Sequence, residues 1–275
     1  MSTIPLLDLG PVLAGKPGAR EATAAELRRI CETVGFLYIT NHGVPRELTE
    51  AAFAAAARFH ALPEDAKLAV RANQHNVGYL PLRTTTTRHS RISADNRPNL
   101  LAAFNLRRDL GADHADVIAG KPYRSMNQWP VGLPGFREAC VAYATALEAL
   151  AVRLLPIYAA ALDLPAAFFA PAFAEPHYTL RLAHYPEHDP AQENEFGIAP
   201  HADSTFMTLL AQNRIPGLEI RTPDGAWLEA PAIPGTFLVN SGQLLRRWTN
   251  ERFLATPHRV INRSGRERYS IPFFF

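Results

Sequence analysis

The chain has 275 residues, which fits one large sheet-based domain as well as two units of about 150 residues each. It is 47% hydrophobic and 20% charged, a balance that excludes wholesale disorder. With 28 basic against 26 acidic side chains the net charge is only +2, so a basic nucleic-acid surface is not expected.

The opening Met-Ser-Thr-Ile-Pro lacks a basic region followed by an apolar core, so no signal peptide is expected, and no run of 18 uncharged apolar residues predicts a membrane span. Residues 24–34 read as an amphipathic helix, with Leu27, Ile30, Cys31 and Val34 at i, i+3, i+4 and i+7. A β-rich run follows over 35–40, then a turn through Asn41-His42-Gly43-Val44-Pro45. Residues 48–60 read as a second helix, and 73–99 as a polar, irregular stretch rich in Thr and Arg. A long helix spans 134–162, with a kink expected at Pro156, where the ring removes a backbone donor. Beyond Pro165 the apolar period becomes two, and strands are predicted over 179–185, 205–212, 218–221, 226–229, 236–240, 258–263 and 267–274.

Pro223-Asp224-Gly225 and Ser264-Gly265 supply the turns of antiparallel pairs. Many short strands preceded by covering helices predict an α+β fold with a mainly β core, a two-sheet sandwich or jelly roll. Residues 1–130 form a helical and mixed region packed on the core, and 131–275 the long helix plus the jelly roll, one structural unit overall. Cys31 and Cys140 lie within helical apolar patterns and read as buried thiols of a reduced, cytoplasmic protein.

The chemistry gathers late in the chain. In His201-Ala202-Asp203, i, i+2 spacing on extended backbone puts an imidazole and a carboxylate on one face. With His258 they make two histidines and a carboxylate, a set that occupies one face of an octahedral Fe(II) and leaves positions for a chelating substrate and oxygen. Zinc uses a similar set with fewer open positions. Arg268-Tyr269-Ser270 repeats the spacing with a guanidinium and a hydroxyl, a pair able to hold a carboxylate through parallel hydrogen bonds. All basic residues except Lys16, Lys67 and Lys121 are arginine, the side chain suited to that planar recognition.

These residues, in this order and separation, resemble the Fe(II)- and 2-oxoglutarate-dependent dioxygenases of the isopenicillin N synthase-like superfamily. Ile4-Pro5-Leu6-Leu7-Asp8, the segment from Gly35 to Val44, Asn127-Gln128-Trp129-Pro130 and Pro216-Gly217-Leu218 are similar to its recurring segments, so nearly the whole chain is covered. The resemblance implies a distorted double-stranded β-helix with flanking helices. It implies Fe(II) on His201, Asp203 and His258, and 2-oxoglutarate held by Arg268, Ser270 and Tyr185, with O2 as the oxidant. The chain departs from the family pattern at Ala183, where some relatives have asparagine, and at Gln243, where aspartate is common. It ends at Phe273-Phe274-Phe275, where relatives continue with a segment that helps close the site.

The implied reaction is oxidation, by default hydroxylation, of an unactivated C–H bond in a small-molecule substrate, with release of succinate and CO2. Phe104, in a segment resembling one where relatives show Lys-Glu-x-Phe, Phe274, on the face of Arg268 and Ser270, and Arg181, suited to an acidic group, are the substrate candidates. His42 and His184 read as turn or packing histidines. Two readings stand beside this one: an Fe(II) oxidase on the same scaffold that uses no 2-oxoglutarate, resembling isopenicillin N synthase or aminocyclopropane carboxylate oxidase, and a non-catalytic jelly-roll binding module. The oligomeric state is not legible in the sequence.

Overall fold

Residues 3–87, 97–187 and 195–275 are described by the structure, a computed structural model. Their strands are β1 (Leu6–Asp8), β2 (Phe36–Thr40), β3 (Gly78–Leu80), β4 (Ala102–Arg107), β5 (Thr179–Tyr185), β6 (Ile198–His201), β7 (Met207–Gln212), β8 (Leu218–Arg221), β9 (Trp227–Glu229), β10 (Phe237–Ser241), β11 (His258–Val260) and β12 (Arg268–Phe274). The helices are α1 (Gly10–Leu13), α2 (Ala19–Thr33), α3 (Arg46–His60), α4 (Glu64–Leu68), α5 (Ala115–Ile118), α6 (Phe136–Ala161) and α7 (Gln243–Trp248).

The last eight strands divide four and four between two sheets, in the orders β10-β7-β12-β5 and β6-β11-β8-β9, every neighbour antiparallel. This is the double-stranded β-helix. The N-terminal part lengthens the larger sheet at both edges, with β2 beside β10 and β1 parallel to β2 on one side, and β4 then β3 beside β5 on the other. The described residues up to 130 therefore extend the core sheet as well as covering it with helices.

Strand alternation gives the large sheet two chemically different faces. On β5, Leu180 and Leu182 face the helices, while Ala183 and Tyr185 join the cluster between the sheets with Phe36, Leu218 and Val260. The helix side is closed by α2, α3 and α6. Helix α2 buries Ala24, Leu27, Ile30 and Cys31, the predicted stripe, and begins earlier than its apolar pattern does. Gly35 ends it in a left-handed conformation (φ 70°), and a Cβ there would lie 2.4 Å from Thr256 Oγ1, so both backbone shape and space demand glycine. Helix α6 has the length and apolarity of a membrane span, but its buried face, with Phe136, Tyr143, Leu147, Leu154 and Tyr158, fills the centre of this core, and the helix continues through Pro156. Both cysteines are buried and unpaired, as expected.

Strand β4 is absent from the predicted strands although Phe104 and Leu106 alternate with Asn105 and Arg107, because all six of its side chains are buried and the alternation is short. Its register overturns one expectation. Phe104 pairs with Leu182 on the helix side, with its ring 4.7 Å from Phe59 and 5.2 Å from Phe136, so it is a core residue turned away from the space between the sheets. Phe104→Ala is expected to cost about 3–5 kcal/mol of stability, read by chemical denaturation, with no change in co-substrate affinity. Unchanged stability with altered ligand binding would contradict this placement. Of the polar stretch 73–99, residues 88–96 lie outside the described residues, and 78–80 form β3.

Candidate active site

A cavity between the sheets is lined by His201, Asp203, His258, Arg268, Ser270, Tyr185, Arg181 and Phe274, eight of the nine residues singled out from the sequence. Phe104 is the exception. The elements that deliver them are distant in sequence. His201 ends β6, Asp203 lies in the connection to β7, and His258 opens β11 directly opposite His201.

Both imidazoles are oriented through their backs. Nδ1 of His201 donates to Ala199 O at 2.9 Å and Nδ1 of His258 to Thr256 O at 3.3 Å, which leaves each Nε2 as the lone-pair nitrogen facing the cavity. Each Nε2 is 3.7 Å from Asp203 Oδ1, and one ligand atom from each of the three residues falls within 4.8 Å of the others. Asp203 is fixed by its other oxygen, because Oδ2 accepts from Thr208 Oγ1 at 2.6 Å and from Asn240 Nδ2 at 2.8 Å. One carboxylate oxygen is therefore tethered and the other is presented to a cation. Burial and the neighbouring His258 lower the His201 pKa to about 4, so the ring is a neutral donor at neutral pH. Burial works to raise the Asp203 pKa, but His258, His201 and the two hydrogen bonds outweigh it and hold the group below the usual carboxylate range.

The loop carrying Asp203 is clamped by the backbone of residues 242–243. Gln243 N donates to Asp203 O at 2.7 Å and Gly242 N to Phe206 O at 3.1 Å. A Cβ on Gly242 would lie 2.0 Å from Thr205 O, so only glycine allows this approach. Gln243, the departure noted in the sequence, contributes here through its backbone.

Deeper along the same face, Arg268 and Ser270 of β12 lie opposite Tyr185 and Ala183 of β5. Arg268 is 1% exposed, and only Nη2 has a partner, Gln212 Oε1 at 2.8 Å; Gln212 is itself held by Nε2 donating to Ala230 O at 3.1 Å. The guanidinium carbon stands 4.9 Å from the Tyr185 ring centre. Nε and Nη1 are buried donors without a hydrogen-bond partner. Leaving two charged donors unpaired in a desolvated site is costly, so this pocket fits an anion. The residues present thus suit both a divalent iron and a dicarboxylate that reaches from it to Arg268.

Sequence comparison carries the same content. Residues 4–132 match the family model described as non-haem dioxygenase in morphine synthesis N-terminal, and 176–275 that of the 2OG-Fe(II) oxygenase superfamily. The 2-oxoglutarate-Fe(II) type oxidoreductase hxnY of Emericella nidulans is 38% identical over 280 residues, covering 98% of this chain and 78% of that protein. The chain belongs to the 2OG-Fe(II) oxygenase superfamily. Among solved structures, a full-length Neurospora crassa protein in complex with alpha-KG and thymine superposes on this oxygenase with a TM-score of 0.86 at 26% identity, covering 98% of this chain and 85% of that one. A 2OG-Fe(II) oxygenase family protein from Caulobacter crescentus gives 0.84 at 28% identity, covering 100% and 87%. The protein is an Fe(II)- and 2-oxoglutarate-dependent dioxygenase, and Fe(II), 2-oxoglutarate and O2 are its cofactor and co-substrates.

Four polar residues escaped sequence reading. Thr208, Asn240, Gln212 and Asn105 sit on strands whose alternation puts them on the cavity side, but each acts through another residue rather than through a motif of its own. A polar residue in an otherwise apolar central strand is the one signal that marks them. His42 and His184 behave as expected: His42 Nδ1 accepts from Val44 N at 3.1 Å, and His184 stacks on Tyr269 with ring centres 4.8 Å apart.

Proposed function

We propose that the oxygenase hydroxylates an unactivated C–H bond of a small-molecule substrate, holding Fe(II) on His201 Nε2, Asp203 Oδ1 and His258 Nε2. Arg268, Ser270 and Tyr185 take the far carboxylate of 2-oxoglutarate in the same reading. When bound, iron and co-substrate together supply the oxidation, in which one oxygen of O2 enters the substrate and the other leaves in succinate as CO2 is released. The protein's part is position and charge. Asp203 balances part of the metal's charge, the tethered imidazoles fix the direction of their lone pairs, and the apolar wall keeps bulk water from the reacting centre.

The observation that carries the reading is the pair of buried, unpartnered donors on Arg268, in the cavity that the His-Asp-His cluster also lines. The small-molecule class is supported by the Neurospora crassa protein, whose structures contain thymine and 5-formyluracil with alpha-KG. A reducing, cytoplasmic setting is supported by the two buried, unpaired thiols.

Anaerobic absorption spectroscopy tests the assignment without knowledge of the substrate. Adding Fe(II) and then 2-oxoglutarate to the full chain is expected to produce the visible charge-transfer band of a chelated keto acid. Admission of O2 with substrate should then yield succinate and a product heavier by one oxygen atom. Iron binding without the band would favour the oxidase alternative, and no iron binding would favour the binding module. A product lacking the added oxygen would replace hydroxylation with desaturation or ring closure.

A further inference from the structure

The face of β5 and β12 that lines the cavity carries a second guanidinium. Arg268 is opposite Tyr185 at one end, and Arg181 lies four residues further along β5, about 13 Å by strand rise. The Arg181 end is the metal end: Phe274 of β12 pairs with Thr208 of β7, the residue that tethers Asp203. The cavity therefore has two cationic poles, a deep one at Arg268 and one at Arg181 next to the His-Asp-His cluster, on a face otherwise walled by Ile198, Leu210, Leu218 and Val260.

Arg181 is incompletely satisfied. Its Nε donates to Asn105 Oδ1 at 3.0 Å and its guanidinium carbon lies 5.2 Å from the Phe274 ring centre, but among the described residues it has no ion-pair partner. The carboxylate whose charge reaches it is Asp203, already committed to Thr208, Asn240 and the histidines. Arg107, on the same face of the neighbouring strand β4, adds a second positive charge. It is buried and donates to His75 O at 3.0 Å and His177 Nε2 at 2.5 Å, again without a described carboxylate. Two arginines without acids on one side of a low-dielectric cavity make a potential that draws an anion. With Arg107 occupied by its own partners and Arg181 Nε by Asn105, the Nη edge of Arg181 is what remains. A guanidinium edge matches the two oxygens of a carboxylate, whereas a phosphate dianion calls for more donors than this.

We infer that the substrate of this oxygenase is an organic carboxylate whose charged group docks on Arg181 and whose apolar body lies along Phe274 toward the metal. The inference rests on the function proposed above and names its substrate class. Arg181 would then set both selectivity and the placement of the carbon presented to the iron.

The test uses the anaerobic complex of the full chain with Fe(II) and 2-oxoglutarate. Benzoate, phenylacetate and hexanoate are titrated in, each against its primary amide, which keeps the shape and removes the charge. At least one acid is expected to shift the charge-transfer band at a concentration at least tenfold below that of its amide. Arg181→Gln should abolish that preference, and Arg181→Lys should retain part of it. Both variants should keep the band and the 2-oxoglutarate concentration that half-saturates it, which shows them folded. Amides equal to acids, no acid shifting the band, or a preference that survives in Arg181→Gln would overturn the inference. So would bleaching of the band by acid that excess 2-oxoglutarate reverses, because that places the acid on Arg268, or loss of the band in Arg181→Gln, because that assigns Arg181 to the co-substrate. Absence of the band in the unaltered protein would be failure of the underlying function, a distinct result that takes the inference with it.

Discussion

Asp203→Ala is expected to reduce Fe(II) affinity on the order of 100-fold or more, beyond the 10–100-fold typical of losing an outer-shell partner. Its Oδ1 is the one anionic donor in the cluster, 3.7 Å from each Nε2, and the two imidazoles left behind carry no negative charge to balance a dication. Thr208 and Asn240 would lose their shared acceptor, but both are polar tips on sheet strands whose ladders remain intact. Anaerobic titration calorimetry, with circular dichroism as the check on folding, measures the loss. Asn240→Ala gives the graded comparison: it frees Oδ2 without removing Oδ1, so its loss should fall within about 10–100-fold. Wild-type iron affinity in Asp203→Ala would remove Asp203 from the metal site.

Arg268→Ala is expected to raise the 2-oxoglutarate requirement by about tenfold to about 150-fold, the equivalent of about 1.5–3 kcal/mol for a charge-assisted hydrogen-bonded pair. Iron affinity should stay near wild type, because Arg268 contacts Gln212 and the Tyr185 ring rather than the His-Asp-His cluster. Burial lowers the guanidinium's pKa, yet an arginine starts so high that it stays charged across the working range. Arg268→Lys should recover only part of the loss, since an ammonium keeps the charge but not the fork that donates to Gln212 and a carboxylate together. The charge-transfer band titrated with 2-oxoglutarate gives the number. An unchanged requirement in Arg268→Ala would show that the co-substrate does not lie on this arginine.

How much of this was legible beforehand differs from residue to residue. The long helix, the strands at 179–185 and 218–221, and the spacing of Arg268 and Ser270 could be read because their periods are local: side chains two apart on a strand share a face wherever the strand goes. The same rule placed Arg181, Ala183 and Tyr185 together, and in the structure Arg181 and Tyr185 line the cavity while Ala183 packs in the cluster between the sheets. Phe104 failed for the complementary reason. Its strand is buried on both faces, so the alternation of Phe104 and Leu106 with Asn105 and Arg107 marks two faces without saying which meets the cavity; the register with β5 turns Phe104 to the helices and Asn105 toward Arg181.

The sequence by itself determined the fold class and the family, and it singled out His201, Asp203 and His258 as a candidate cluster, since each depends on residue types at short spacings or on order along the chain. Only the tertiary structure decided which oxygen of Asp203 faces the cavity, that Thr208 and Asn240 hold the other, that Gln212 leaves two donors of Arg268 unpaired, and that a second arginine lines the cavity with the His-Asp-His cluster. Most of those facts are contacts between residues dozens of positions apart, such as Asp203 with Asn240 and Gln212 with Arg268, brought together by the pairing of β7 with β10 and β12. A hydrogen bond reports on distance in space, and only the register of the folded sheets brings such residues within its reach.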